Sequence, residues 1–114
     1  QAWHRAFQEG EGSSAVLEFG DCRVNFSSLK AVGVKQRKLD LSRTEALLMR
    51  LLAEHQGKPV SRARILEEVW GAPGDLSTRS VDNFILRLRR YFEVDPKRPR
   101  HIVTVRGTGY MFQR

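Results

Sequence analysis

The chain has 114 residues, 40% of them apolar and 29% charged, with a formal net charge of +7 and a pI near 10.3. That size suits one domain with a modest core, and the charge favours an anionic partner, with nucleic acid ahead of a membrane surface. The longest apolar run, residues 46–49, is far shorter than the roughly 20 residues that a membrane-spanning helix needs. No secretory signal is visible and the single Cys22 excludes an internal disulfide, so we expect a cytoplasmic protein.

Residues 1–15 are rich in small polar side chains and lack periodicity, so we expect an arm that is the tail of an interdomain linker. One domain is expected over residues 16–114. It opens with short alternating segments at residues 16–19, 22–26, 29–32 and 35–39. This pattern predicts an antiparallel sheet of up to four strands, with one buried and one solvent-exposed face. Cys22 is expected to be a half-buried strand side chain.

Two helices are predicted next, each from a cap and a helical apolar period. Ser42 and Glu45 form a capping-box pattern that predicts the start of the first helix, and Gly57 marks its end. The residues that recur at helical spacing in it are Thr44, Leu47, Leu48, Leu51 and Leu52. Ser61 is expected to cap a second, shorter helix that stops at Gly71.

A third helix over residues 79–92 is predicted, with Ser77 or Thr78 as its cap. The stripe expected in the core consists of Val81, Phe84, Ile85, Leu88 and Phe92. The opposite face carries Arg79, Asn83, Leu86 and Arg90, flanked by Arg87 and Arg89. One interpretation is a solvated basic face. The other is a DNA-reading face, because arginine, asparagine and an aliphatic side chain match the guanine acceptors, the adenine donor–acceptor pair and the thymine methyl group.

The last predicted element is a hairpin of residues 102–105 and 110–113 around the loop Arg106-Gly107-Thr108-Gly109, whose glycines are expected to supply positive φ angles. One interpretation is an ordinary edge hairpin. The other is a wing whose Arg106 enters the minor groove, where negative potential attracts a guanidinium group. The net charge is +6 over residues 79–114 and only +1 over residues 1–78, which favours a nucleic-acid-binding end.

Three short motifs are specific in combination: Trp70-Gly71, Arg79-x-Val81-Asp82 and Thr104-Val105-Arg106-Gly107-x-Gly109-Tyr110. With the leucine pattern of the first helix, they make residues 16–113 resemble the C-terminal effector domain of OmpR/PhoB-type two-component response regulators. The resemblance implies an α+β winged helix-turn-helix, with an N-terminal four-stranded antiparallel sheet, three helices and a C-terminal β-hairpin wing. It also implies transcription regulation by sequence-specific DNA binding, with the third helix in the major groove and the wing in the minor groove.

Site residues follow from the helical wheel and the resemblance together. The wheel places Asn83, Leu86 and Arg90 outermost, while the resemblance favours Arg87 on a base edge and Arg106 in the minor groove. It implies phosphate contacts by Arg79, Thr104 and Tyr110, and for Arg89 either a phosphate contact or support of Arg87. It also implies a loop that can meet RNA polymerase, formed by Gly71, Ala72, Pro73, Gly74, Asp75, Leu76 and Ser77.

The implied partners are double-stranded promoter DNA, RNA polymerase and a second copy of the chain on tandem half-sites. In the full-length protein, an N-terminal receiver domain and a sensor kinase are expected, with no membrane and no cofactor. The alternative is a winged-helix module for protein contact that has only non-specific DNA affinity. An enzyme is not expected, because His4, His55 and His101 lack partners at metal-ligand or catalytic-triad spacing.

Overall fold

The computed structural model describes residues 15–71 and 78–114. Its first sheet is an antiparallel meander of β1 (Val16–Phe19), β2 (Cys22–Asn25), β3 (Lys30–Val32) and β4 (Lys38–Asp40). The strand register aligns four apolar residues across the sheet on its inner face: Leu17, Val24, Ala31 and Leu39. The alternating sequence thus produces the one-sided burial that it predicts.

Three predicted strands and one predicted exposure need correction. The segment at residues 29–32 begins as a strand only at Lys30, because Leu29 has a φ of +61°. The segment at residues 22–26 ends as a strand at Asn25, and the segment at residues 35–39 does not begin as one, because Val34–Gln36 form a 3-10 turn before β4. Lys35 and Gln36 both have a φ of +61°, a left-handed conformation that alternation of side chains does not reveal. Cys22 is fully rather than half buried, and burial raises the pKa of its thiol to about 11.

The first two helices begin at their predicted caps. In α1 (Arg43–Glu54), Ser42 Oγ accepts the Glu45 amide at 3.1 Å and Glu45 Oε1 accepts the Ser42 amide at 2.8 Å, which confirms the capping box. In α2 (Arg62–Ile65), Ser61 Oγ accepts the Arg64 amide at 3.1 Å. The chain continues as a π-helical turn, Leu66–Trp70, and leaves it at Gly71 with a φ of +67°.

The third helix, α3 (Arg79–Phe92), starts differently from the prediction. Thr78 occupies the position before it, but its side chain accepts no hydrogen bond from the first turn. Its φ of −64° and ψ of −7° are helix-like, whereas a capping side chain needs extended backbone to reach the following amides. The prediction is therefore wrong for Thr78, and Ser77 lies outside the described residues.

The C-terminal hairpin pairs β6 (Ile102–Val105) with β7 (Gly109–Phe112), and a two-residue strand, β5 (Val60–Ser61), pairs with the other edge of β7. The sequence did not predict β5. Gly107 has the positive φ expected in the loop, +78°. Gly109 does not, and the reason for its glycine is space: a Cβ there would lie 2.9 Å from Ser61 Cα and closer still to the Val60 carbonyl.

One core joins the meander, the helices and the hairpin. The α3 stripe is buried as predicted at Val81, Ile85, Leu88 and Phe92, whereas Phe84 is only half-buried. Phe19 of β1 meets the rings of Phe92 at 5.5 Å and Phe112 at 5.1 Å, both edge-on. These contacts fix α3 and the hairpin relative to the meander, with the far side of α3 turned to solvent.

Candidate nucleic-acid interface

The solvent side of α3 presents the side chains that its helical period places there. Arg79, Asn83, Leu86, Arg87 and Arg90 are all exposed, and Leu86 is 51% accessible although it is aliphatic. An apolar side chain among cations has no packing reason to be at that position. The face can therefore offer hydrogen-bond donors, an amide and one apolar contact to the edges of bases.

Arg87 is held from two sides. Its guanidinium lies 4.7 Å from the centroid of the Phe84 ring, and its Nη1 lies 3.7 Å from Oε2 of the buried Glu45. Phe84, which is half-buried, in turn packs edge-on against Trp70 at 5.2 Å. Residues of α1 and of the turn after α2 thus define where the side chain of Arg87 lies.

Arg89 faces the hairpin and is only 8% accessible. Its Nε donates to the Ile102 carbonyl at 2.9 Å and its Nη2 donates to Thr104 Oγ1 at 2.8 Å. Burial lowers the pKa of this guanidinium from its ordinary value. Both hydrogen bonds join Arg89 to the hairpin rather than to Arg87, the residue that the resemblance implies it could support.

Tyr110 and Asp82 connect the hairpin to both helices of the helix-turn-helix. Tyr110, 5% accessible, donates its hydroxyl hydrogen to Asp82 Oδ1 at 2.6 Å, and Arg62 Nε lies 2.9 Å from the same oxygen. Burial, followed by this hydrogen bond, raises the pKa of Tyr110. Asp82 is therefore a junction between α2, α3 and β7, a role that the sequence did not indicate.

The remaining predicted site residues that the structure describes are exposed, on the hairpin and after the π-helical turn. Arg106 is at the tip of the hairpin, and Thr104 is exposed on β6. Gly71 is exposed after the π-helical turn, whereas the rest of the predicted polymerase-facing loop, residues 72–77, lies outside the described residues. On α3 itself, the predicted base-contacting residues are exposed on the same side of the helix as Arg79.

Glu93 is a buried residue that the sequence reading missed. Its carboxylate accepts the amides of Arg100, His101 and Ile102 at 2.7–3.0 Å, directly before β6. This arrangement fixes the point at which the chain enters the hairpin. No local sequence signal could have shown it, because a glutamate after a helix is ordinarily a solvated residue.

A sheet, a helix-turn-helix pair and a hairpin beside the exposed basic face of α3 define the winged helix-turn-helix class. Residues 36–112 match the family described as "Transcriptional regulatory protein, C terminal", and the chain belongs to that family. The predicted OmpR/PhoB-type identity and winged-helix fold are confirmed, as is the prediction that the chain is not an enzyme. Within residues 15–71 and 78–114, no helix is long and apolar enough to cross a membrane.

Two of the similar proteins are much longer than this chain. The probable transcriptional regulator ycf27 of Galdieria sulphuraria is 41% identical over 104 residues, which are 90% of this chain and 40% of that protein. The response regulator DrrB, an OmpR/PhoB homologue of Thermotoga maritima, is 36% identical with a TM-score of 0.77, over 99% of this chain and 50% of the other. The Klebsiella pneumoniae RstA DNA-binding domain, in complex with the RstA box, is 28% identical with a TM-score of 0.72, over 86% and 96%.

Proposed function

We propose that the domain binds double-stranded promoter DNA sequence-specifically, with α3 in the major groove and the hairpin in the adjacent minor groove. The observation that carries the proposal is the exposed face of α3, where arginines surround Asn83 and the 51% accessible Leu86. The RstA domain, which is similar over 86% of this chain, was solved in complex with its DNA box. That neighbour supports the same class of partner here.

Base contacts are assigned to five exposed residues: Asn83, Leu86, Arg87, Arg90 and Arg106. Phosphate contacts are assigned to Arg79 at the start of α3 and to Thr104 on β6. Arg89 is assigned to support of the hairpin, because both of its hydrogen bonds go there. Tyr110 contacts a phosphate only if its hydroxyl leaves Asp82, whose charge Arg62 would still balance.

The partners of the longer protein are part of the same proposal. The chain spans only 40% of the length of its ycf27 relative and 50% of DrrB, a response regulator. We infer an N-terminal receiver domain that a sensor kinase phosphorylates, a second copy of the domain on a tandem half-site, and RNA polymerase at the loop of residues 71–77. Phosphorylation would then act by raising the local concentration of the paired domains on DNA.

Selection of random-sequence duplex DNA by the domain, followed by sequencing, tests the proposal. We expect enrichment of a short motif, and binding to it that falls steeply with salt because phosphate contacts release counterions. A scrambled duplex of equal length is the control. Recovery of DNA without enrichment would contradict sequence specificity, and no recovery at low salt would favour the protein-contact alternative.

A further inference from the structure

Glu45 is a charged side chain inside the protein. It is 3% accessible, yet both of its carboxylate oxygens are engaged: Oε1 accepts the Ser42 amide at 2.8 Å and Oε2 accepts the Tyr91 hydroxyl at 3.0 Å. A buried carboxylate is stable only with hydrogen bonds and a counter-charge. The capping box accounts for the first oxygen and leaves the second, with its charge, directed toward α3.

The counter-charge is Arg87, the arginine assigned to a base edge. Its Nη1 lies 3.7 Å from Glu45 Oε2, which is an ion pair beyond hydrogen-bond distance. The attraction therefore orients the guanidinium without using its N–H donors. Phe84 supports the flat face of the same group at 4.7 Å, and Trp70 supports Phe84.

We propose that Glu45 is a positioning residue for base recognition, which holds the guanidinium of Arg87 ready for a base edge. The inference rests on the proposed function. An oriented arginine loses less conformational freedom when it binds than a mobile one does. The buried negative charge also opposes nearby phosphates and draws Arg87 away from them, so Glu45 trades overall affinity for selectivity.

The test replaces Glu45 by glutamine, which keeps the shape and the capping-box hydrogen bond but removes the charge. On the selected duplex and its single-base-pair variants, we expect Glu45→Gln to reduce discrimination at the Arg87 position about threefold to tenfold, a part of what a bidentate arginine–guanine contact supplies. Affinity for scrambled DNA should stay equal or rise. Loss of structure alone would lower the affinity for the selected and the scrambled DNA together, so reduced discrimination with undiminished affinity for scrambled DNA distinguishes positioning from stability.

Tyr91→Phe is the matched control, because it removes the hydrogen bond from the Tyr91 hydroxyl to Oε2 and leaves the ion pair with Arg87 in place. It should preserve base preference. In the Arg87→Ala background, Glu45→Gln should have no further effect on preference. If Glu45→Gln alters preference equally with and without Arg87, or leaves it unchanged in the otherwise native domain, the inference is overturned.

Two further readouts separate the possible failures. If Arg87→Ala itself leaves base preference unchanged, the assignment of Arg87 fails and the proposed function must be revised. If Glu45→Gln does not fold, relaxation of the arginine side-chain N–H signals in the native domain takes its place. Arg87 should then be more ordered than the exposed Arg90 of the same helix, and equal mobility would overturn the inference.

Discussion

Arg79 and Arg87 lie two turns apart on the exposed side of α3, and the proposed binding mode gives them different tasks. Arg79 is at the helix start, and the proposed binding mode assigns it to a phosphate of the DNA backbone. Arg87 is farther along, on a face shared with Asn83 and Leu86. Phosphate contacts position a protein without reading sequence, whereas base contacts carry the sequence information.

Arg79→Ala should therefore weaken binding to all duplexes about equally, whereas Arg87→Ala should relax preference at one base pair. The expected cost of the second change is about 1–3 kcal/mol at the preferred base. Titrations of the selected duplex and its single-base-pair variants at one salt concentration measure both effects. If the two variants give the same profile across the duplexes, the assigned roles are wrong.

At the scale of the secondary-structure elements, Arg89 helps to attach the hairpin to α3, beside the hydrogen bond from Tyr110 to Asp82. Arg89 bridges α3 to β6 through the Ile102 carbonyl and Thr104 Oγ1, although its neighbour Arg90 is exposed on the same helix. A buried donor that satisfies two acceptors holds the two elements at a fixed angle. That angle sets where Arg106 reaches.

Arg89→Met should lower the free energy of unfolding by about 2–3 kcal/mol, because two acceptors lose a charged donor. Arg90→Met removes the same charge from an exposed position and should leave stability nearly unchanged. Urea denaturation of both variants measures the difference. Equal stabilities would show that Arg89 does not join the hairpin to the helix.

Short elements were the least predictable ones. The strand β5 has two residues and exists only through its pairing with β7, so no period could announce it. The sequence pattern predicts a turn glycine at Gly109, but the structure needs a glycine there because the β5 backbone leaves no room for a Cβ atom. The capping box of α1, the Ser61 cap of α2 and the core stripe of α3 were predictable because their partners lie within one or two turns.

At the scale of the whole molecule, nearly all of the net positive charge belongs to the C-terminal third of the chain. Residues 79–114 hold a net charge of +6 of the total +7, and they include both α3 and the hairpin. A single DNA-binding module typically buries only about 600–1,000 Å² of its surface on DNA, so we expect one copy of this domain to bind weakly. Two copies on one face of the duplex would add their contacts.

Tandem half-sites spaced by about 10–10.5 bp should therefore bind two domains more tightly than half-sites displaced by half a turn, which face opposite sides of the duplex. Gel-shift titration of the two spacings, with identical half-sites, measures the difference. A single-half-site duplex is the control for one-copy affinity. Equal affinities at both spacings would contradict pairing of adjacent copies.

The sequence by itself determined the family, the order of sheet, helices and hairpin, and the exposed basic face of α3. These follow from local periods, caps and motifs, whose partners are near in the chain. Only the tertiary structure decided that Arg89 is buried against the hairpin and that Arg87 lies beside Glu45, because these contacts join residues far apart in the chain: Arg89 donates to Thr104 across 15 positions, and Arg87 lies 3.7 Å from a carboxylate oxygen of the first helix. Helical spacing shows which side of a helix a residue lies on, but only tertiary packing decides which distant residue it contacts.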